Sequence, residues 1–140
     1  MAGFISAAAI AQQVNQAEVM DIRGQAQFLK IGSAQWADLH KGMILTEGDA
    51  LRSDGDSEVI LALTGSRKNA ELVIREKSEF TFKTFHHEPG TETDSTLLDV
   101  GIGAVLVKAE KLLGDSKFEV KTPTSIVGIR GTTFEVQVSK

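Results

Sequence analysis

The chain of 140 residues contains no cysteine and no tyrosine, only two prolines and a single tryptophan. The absence of cysteine removes disulfides, thiolate metal sites and a cysteine nucleophile together. Aromatic residues make up 6% of the chain, too sparse for a platform on which sugars or single strands would stack. Neither sign of charge dominates. Fifteen Lys and Arg against nineteen Asp and Glu leave a net charge of −4. That is no basic footprint for nucleic acid, and no acidic excess of the kind that keeps a chain unfolded. The apolar run Gly3 to Ala11 falls well short of the roughly 20 residues needed to cross a bilayer, so no stable membrane span is expected. Gly101-x-Gly103 lacks the third glycine and the following helix of a dinucleotide-binding turn.

What remains is β-like. Glycines recur at 24, 32, 42, 48, 55 and 65, a turn signal every six to ten residues. Ser57 to Thr64 alternates, with Val59, Leu61 and Leu63 on one face and Glu58, Ile60 and Ala62 on the other. Val19 to Arg23 and Ala26 to Ile31 flank Gly24-Gln25, as in a hairpin or a tight corner. Ala70 to Arg75, Ser78 to Phe82, Thr96 to Val100, Ala104 to Ala109 and Phe118 to Thr122 are further strand-sized runs. The stretch Phe85 to Ser95 is polar, contains Pro89-Gly90 and reads as the longest loop. At the end, Phe134, Val136 and Val138 alternate with Glu135 and Gln137, as in a strand buried on one face. The expected fold is all-β, with many short strands in a solenoid-like or sandwich arrangement. Residues 1–17 form a separate arm ahead of a β domain over 18–140. Ala9-Ile10-Ala11 before Gln12 has the form of a signal-peptidase site, so the arm reads as a signal-peptide remnant; a short helix is the other reading.

Four elements in order resemble those of the FecR-type periplasmic domain. Trp36 with Gly42 and Leu45 is similar to the family's opening. Gly48-Asp49-Ala50-Leu51-Arg52-Ser53 resembles Gly-Asp-x-Leu-x-Thr. Ser57-Glu58-Val59 through Thr64-Gly65-Ser66 is similar to the strand ending in Asp-Gly-Ser. Phe118 to Pro123 and Gly128 to Val136 resemble the closing Phe-x-Val-x-Thr-Pro and Gly-x-Arg-Gly-Thr-x-Phe-x-Val pieces. The residues carrying the resemblance are Trp36, Gly48, Asp49, Thr122, Pro123, Gly128, Arg130, Gly131, Thr132 and Phe134. Physically they read as architecture. Gly128 and Gly131 suit positive φ or close strand approach. Thr122-Pro123 forces an extended entry and puts Thr124 at an edge or corner. The Arg130 fork suits carbonyls or a carboxylate such as Asp49 or Asp54. Asp49 suits a turn in which it bonds the backbone two residues on. Trp36 reads as core or as a lid over one end of the sheet.

Chemistry is scarce. His86, His87 and Glu88, with Glu92 and Asp94, are the only grouping with metal-ligand character, and adjacent histidines on a strand point apart. Ser125, Thr132 and Thr133 have no histidine nearby in sequence. No catalytic residue and no cofactor is expected. The resemblance implies a periplasmic or secreted bacterial module whose surface binds a protein or cell-wall partner. A structural subunit assembling with copies of itself, through its arm or an open sheet edge, is the alternative.

Overall fold

A computed structural model describes residues 15–64, 68–88, 93–109, 117–129 and 133–139. They form twelve strands: β1 (Gln16–Arg23), β2 (Ala26–Leu29), β3 (Ala37–Asp38), β4 (Ile44–Leu45), β5 (Ala50–Ser53), β6 (Glu58–Thr64), β7 (Lys68–Ile74), β8 (Glu79–Glu88), β9 (Thr93–Ala109), β10 (Lys117–Lys121), β11 (Ile126–Gly128) and β12 (Thr133–Val138). The all-β expectation holds. The arrangement is one open, curled sheet rather than a stack of coils. β9 carries both halves. Its first part pairs with β8 and, in parallel, with β10; its second part pairs with β7 and β12. One half runs β3-β2-β5-β8-β9-β10-β11, the other β4-β1-β6-β7-β9-β12. Phe80, Phe82, Phe85 and Leu98 from the first half and Val19, Leu61, Leu63 and Val107 from the second meet in one core. Each such side chain contributes about 1.5–3 kcal/mol of transfer free energy.

The curl is made along one crease. Four lengths of chain cross it: β1 into β2, β5 into β6, β7 into β8, and β9. Each crossing contains one residue in the left-handed region: Gly24 (φ 86°), Asp56 (55°), Lys77 (52°) and Gly103 (99°). The Gly24-Gln25 corner read from sequence is the first of these. At the crease the regular ladder is interrupted, and three buried serines supply the missing hydrogen bonds. The Ser57 hydroxyl accepts from Gln25 N (2.9 Å) and donates to Gly55 O (3.0 Å). The Ser53 hydroxyl accepts from Ser78 N (3.1 Å) and donates to Arg75 O (2.6 Å). The Ser78 hydroxyl accepts from Ala104 N (2.9 Å). These bonds link the four crossings in series. A Cβ at Gly24 would overlap Ser57, and one at Gly103 would overlap Ser78.

Several expectations are corrected. Gly101 and Gly103 do not separate two strands; they bend one strand, β9. Phe85 to Ser95 is not a long loop: β8 runs to Glu88 and β9 starts at Thr93, with His86 opposite Ser95 and His87 opposite Asp94. The reason is a bulge at Lys83, between Phe82 paired with Leu98 and Thr84 paired with Leu97. The bulge flips the parity of the strand. Phe80 and Phe82 point inward before it, Phe85 and His87 after it. The Phe82 and Phe85 rings stack 4.8 Å apart across the bulge. Gly128 has no left-handed φ and open space where a Cβ would go, so it lies on an edge strand without needing to be glycine. Residues 1–14 of the expected arm (1–17), Arg130, Gly131, Thr132 and Glu92 lie outside the described residues, while Gln16 and Ala17 belong to β1.

The crease makes two stability predictions. Lys77→Gly relieves a left-handed lysine and should raise stability by up to about 1 kcal/mol. Gly103→Ala and Ser78→Ala should lower it, the latter by about 1–3 kcal/mol because the Ala104 N–H loses its acceptor. Urea unfolding midpoints of the three variants measure both signs.

Candidate protein-interaction surface

The Gly48-Asp49 element is a positioning device. Gly48 (φ 92°) turns the chain, and the Asp49 carboxylate is fully buried. It accepts from Thr46 N (2.9 Å), from Ile31 N (2.9 Å) and from Lys30 Nζ (3.1 Å). The expected bond to a backbone group two residues on is thus replaced by one three residues back and one across to the β2–β3 connection. Glycine suits position 48 because its φ of 92° is one that side chains rarely adopt, and the Ile31 side chain lies where a Cβ would project. That isoleucine is still 64% exposed. Trp36, in the same connection, is neither core nor end-lid. It is half-buried at the edge of the first half-sheet, with the Arg52 guanidinium 4.3 Å from its ring centre. Gln27 fixes that guanidinium through Nε (3.1 Å).

The histidines point apart, as the strand reading requires. His86 faces outward and its Nδ1 lies 2.7 Å from Glu47 Oε1. His87 faces inward, nearly buried, with Nδ1 2.9 Å from Asp94 Oδ1. Asn15, fully buried at the start of β1, donates to the same Asp94 oxygen (3.4 Å). The residues His87, Asp94 and Asn15 thus tie the first strand to the β8–β9 hairpin. Sequence reasoning missed this because the bulge that turns His87 inward has no signature in the alternation. Glu88 closes β8, and among the described residues no group of three His, Cys, Asp or Glu is placed to hold a metal ion.

Thr122-Pro123 makes the β10–β11 turn. Thr122 N donates to Ser125 O (2.8 Å), and its hydroxyl accepts from Ser125 N (3.1 Å). Thr124 is exposed at the corner, as expected.

The edges differ most. Among the described residues, β3, β4 and β11 end the sheet with two, two and three residues. Short edges limit pairing with other chains. The fourth end strand, β12, has six residues, pairs among the described residues with β9 alone, and contains neither Pro nor Lys. Ala104 points its N–H at Ser78 Oγ (2.9 Å) and its carbonyl at Arg75 N (2.9 Å), both toward β7. Its register partner Gln137 therefore sits in a non-hydrogen-bonded pair. By alternation, the backbone N–H and C=O of Gln137 and Glu135 project to the open side. Phe134, Val136 and Val138 share the inward face, but Phe134 stays 37% exposed because among the described residues no strand lies beyond β12. The buried end expected for Phe134 is corrected to a half-covered one. Glu135 reaches back to Arg75 Nε (3.4 Å), and Nη1 of the same guanidinium holds Glu58 (3.1 Å).

The family model described as FecR protein matches residues 43–140. The chain belongs to the FecR family. The match begins after Trp36 and contains the Gly48-Asp49 element, the crease from Ser53 to Gly103, and β12. No curated protein and no solved structure matches the chain. FecR proteins are regulatory proteins of bacterial signal transduction, and their FecR domains are typically periplasmic. Among the described residues no helix is long and apolar enough to cross a membrane.

Glu47 supplies a pH dependence. Burial pushes its carboxyl up, but the Phe85 amide (2.7 Å) and the His86 ring outweigh that, so it titrates below the ordinary glutamate value of 4.5. A lowered folded value means that the stabilisation is complete above the unfolded value and is lost as pH falls through the folded one. Glu47→Gln should therefore flatten the acid limb of the stability–pH curve below pH 4.5. Urea midpoints across that range test it.

Proposed function

We propose that this FecR domain is a non-catalytic, protein-binding module of the bacterial envelope, periplasmic or secreted, that recognises its partner by strand addition at β12. The observation that carries the reading is the six-residue strand β12, which among the described residues pairs with β9 alone, set against the other end strands β3, β4 and β11 of two, two and three residues. Strand addition draws its affinity from main-chain hydrogen bonds and its specificity from alternate side chains. Glu135 and Gln137 supply the outward N–H and C=O groups. Phe134 supplies uncovered apolar surface on the inner face. The rigid body behind the edge suits such recognition, because β12 is held by a complete register of six pairs to β9 and by the Arg75–Glu135 contact.

Gln137→Pro removes one outward donor without touching the β9 ladder, and proline is tolerated on the open side of an edge strand. Immobilised wild-type protein should capture its partner from an envelope extract, and Gln137→Pro should lose that capture at unchanged circular dichroism and unfolding midpoint. Equal capture by the two proteins would remove β12 from the binding surface.

A further inference from the structure

We infer that the occupant of β12 is the β12 strand of a second copy, paired antiparallel about a two-fold axis through Val136. The inference rests on β12 being the interaction edge and names what meets it. Outward-facing residues must pair with outward-facing residues, so only registers that put odd positions opposite odd positions form a ladder. Three such registers keep most of the strand engaged. With Glu135 opposite its own copy, two carboxylates face each other, which is unfavourable. With Gln137 opposite its own copy, Glu135 meets Ser139, and Phe134 is carried past Val138, the last residue of β12. The remaining register is self-complementary throughout. Glu135 meets Gln137 of the second copy, twice, a carboxylate against an amide that can donate to it. Val136 meets its own copy on the axis. Phe134 meets Val138 of the second copy, twice, and these are the half-covered residues of the inner face. Aromatic against β-branched pairs are among the favourable cross-strand contacts.

This contact is isologous and closes. It extends the second half-sheet across the axis into its copy and gives a dimer, whereas head-to-tail docking of the arm would propagate. No charge is buried, because Glu135 keeps its outer-face contact with Arg75 (3.4 Å).

The test uses the full chain and exploits its lack of cysteine. Across the axis, Val136 and its copy form a non-hydrogen-bonded pair with Cα atoms about 4.5 Å apart, within disulfide range. Val136→Cys should therefore give a cross-linked dimer under mild oxidation. Glu135→Cys and Gln137→Cys should give far less, since each would link only in one of the rejected registers. In sedimentation equilibrium the wild-type chain should show concentration-dependent dimers. Gln137→Glu sets carboxylate against carboxylate and should raise the dissociation constant roughly three- to tenfold. Gln137→Lys should lower it, and Gln137→Pro should leave a folded monomer. Opposite or equal responses to Glu and Lys at position 137, or preferential linkage at 135 or 137, would overturn the pairing. A wild-type chain that stays monomeric at every concentration would overturn it too. If Gln137→Pro then still loses capture from the extract, the edge reading stands and only the second copy falls; if cross-linking at 136 succeeds while capture is indifferent to Gln137→Pro, the reverse holds.

Discussion

The fold depends on one constraint: four lengths of chain must bend at the same level without stranding their backbone polar groups. A strand that bends sharply loses ladder bonds, and a buried unpaired N–H or C=O costs about 1–3 kcal/mol. The chain meets this with two devices in register. One residue in each crossing takes a left-handed conformation, and serine hydroxyls at 53, 57 and 78 act as both donor and acceptor where amides no longer face each other. Serine is suited to the task, since its hydroxyl is short, rotates freely and carries both functions. The two glycines sit at the outer crossings, where a side chain would strike Ser57 or Ser78. The inner crossings use Asp56 and Lys77 instead.

The same bonds set the polarity of the surface. Because the Ser78 hydroxyl and Arg75 N draw both backbone groups of Ala104 toward β7, the alternation along β9 is fixed from the crease outward. It follows that Gln137 and Glu135, and not their neighbours, present main-chain groups to the open side. Had the crease pulled Ala104 the other way, Phe134, Val136 and Val138 would face outward with their backbones, and the pairing chemistry of the edge would be different. Arg75 links the two regions a second time, by its carbonyl to Ser53 and by its guanidinium to Glu58 and Glu135.

Much of this was legible in the chain and some was not. The alternation of β6 announces its buried face residue by residue, because β6 itself carries no extra residue: the register shifts in its pairing fall at Met20 of β1 and Asn69 of β7. The Gly24-Gln25 corner and the Gly48 turn are visible because glycine marks positive φ. The other crossings hide it. Lys77 in a left-handed conformation violates the local preference that sequence reasoning relies on, and the crease serines lie far apart in the chain. Gly101 and Gly103 are visible but ambiguous: the same residues that end a strand can also bend one. The β8 bulge misleads in another way. After Phe82 the inward residues shift from even to odd positions, so a continued strand looks like a broken pattern. Asp49 shows the reverse case. Its turn role was readable, but its bond to Ile31 belongs to an element 18 residues away, and no local rule reports it.

The contrast among the edges bears on what the domain is built to do. A sheet that leaves β3, β4 and β11 at two or three residues has limited pairing there by length alone. On β12 the usual defences are absent: the strand is long, free of Pro and Lys, and its one carboxylate is drawn back to Arg75 on the outer face. Two main-chain hydrogen bonds to each outward residue would by themselves give a marginal association, because a pair of strands with no covered face is barely stable in water. The apolar contribution has to come from the inner face. There Phe134 and Val138 are left partly uncovered beside a fully buried Val107. An edge whose exposed backbone and uncovered side chains lie on one strand, over a core that already ends beneath it, has the composition of half an interface.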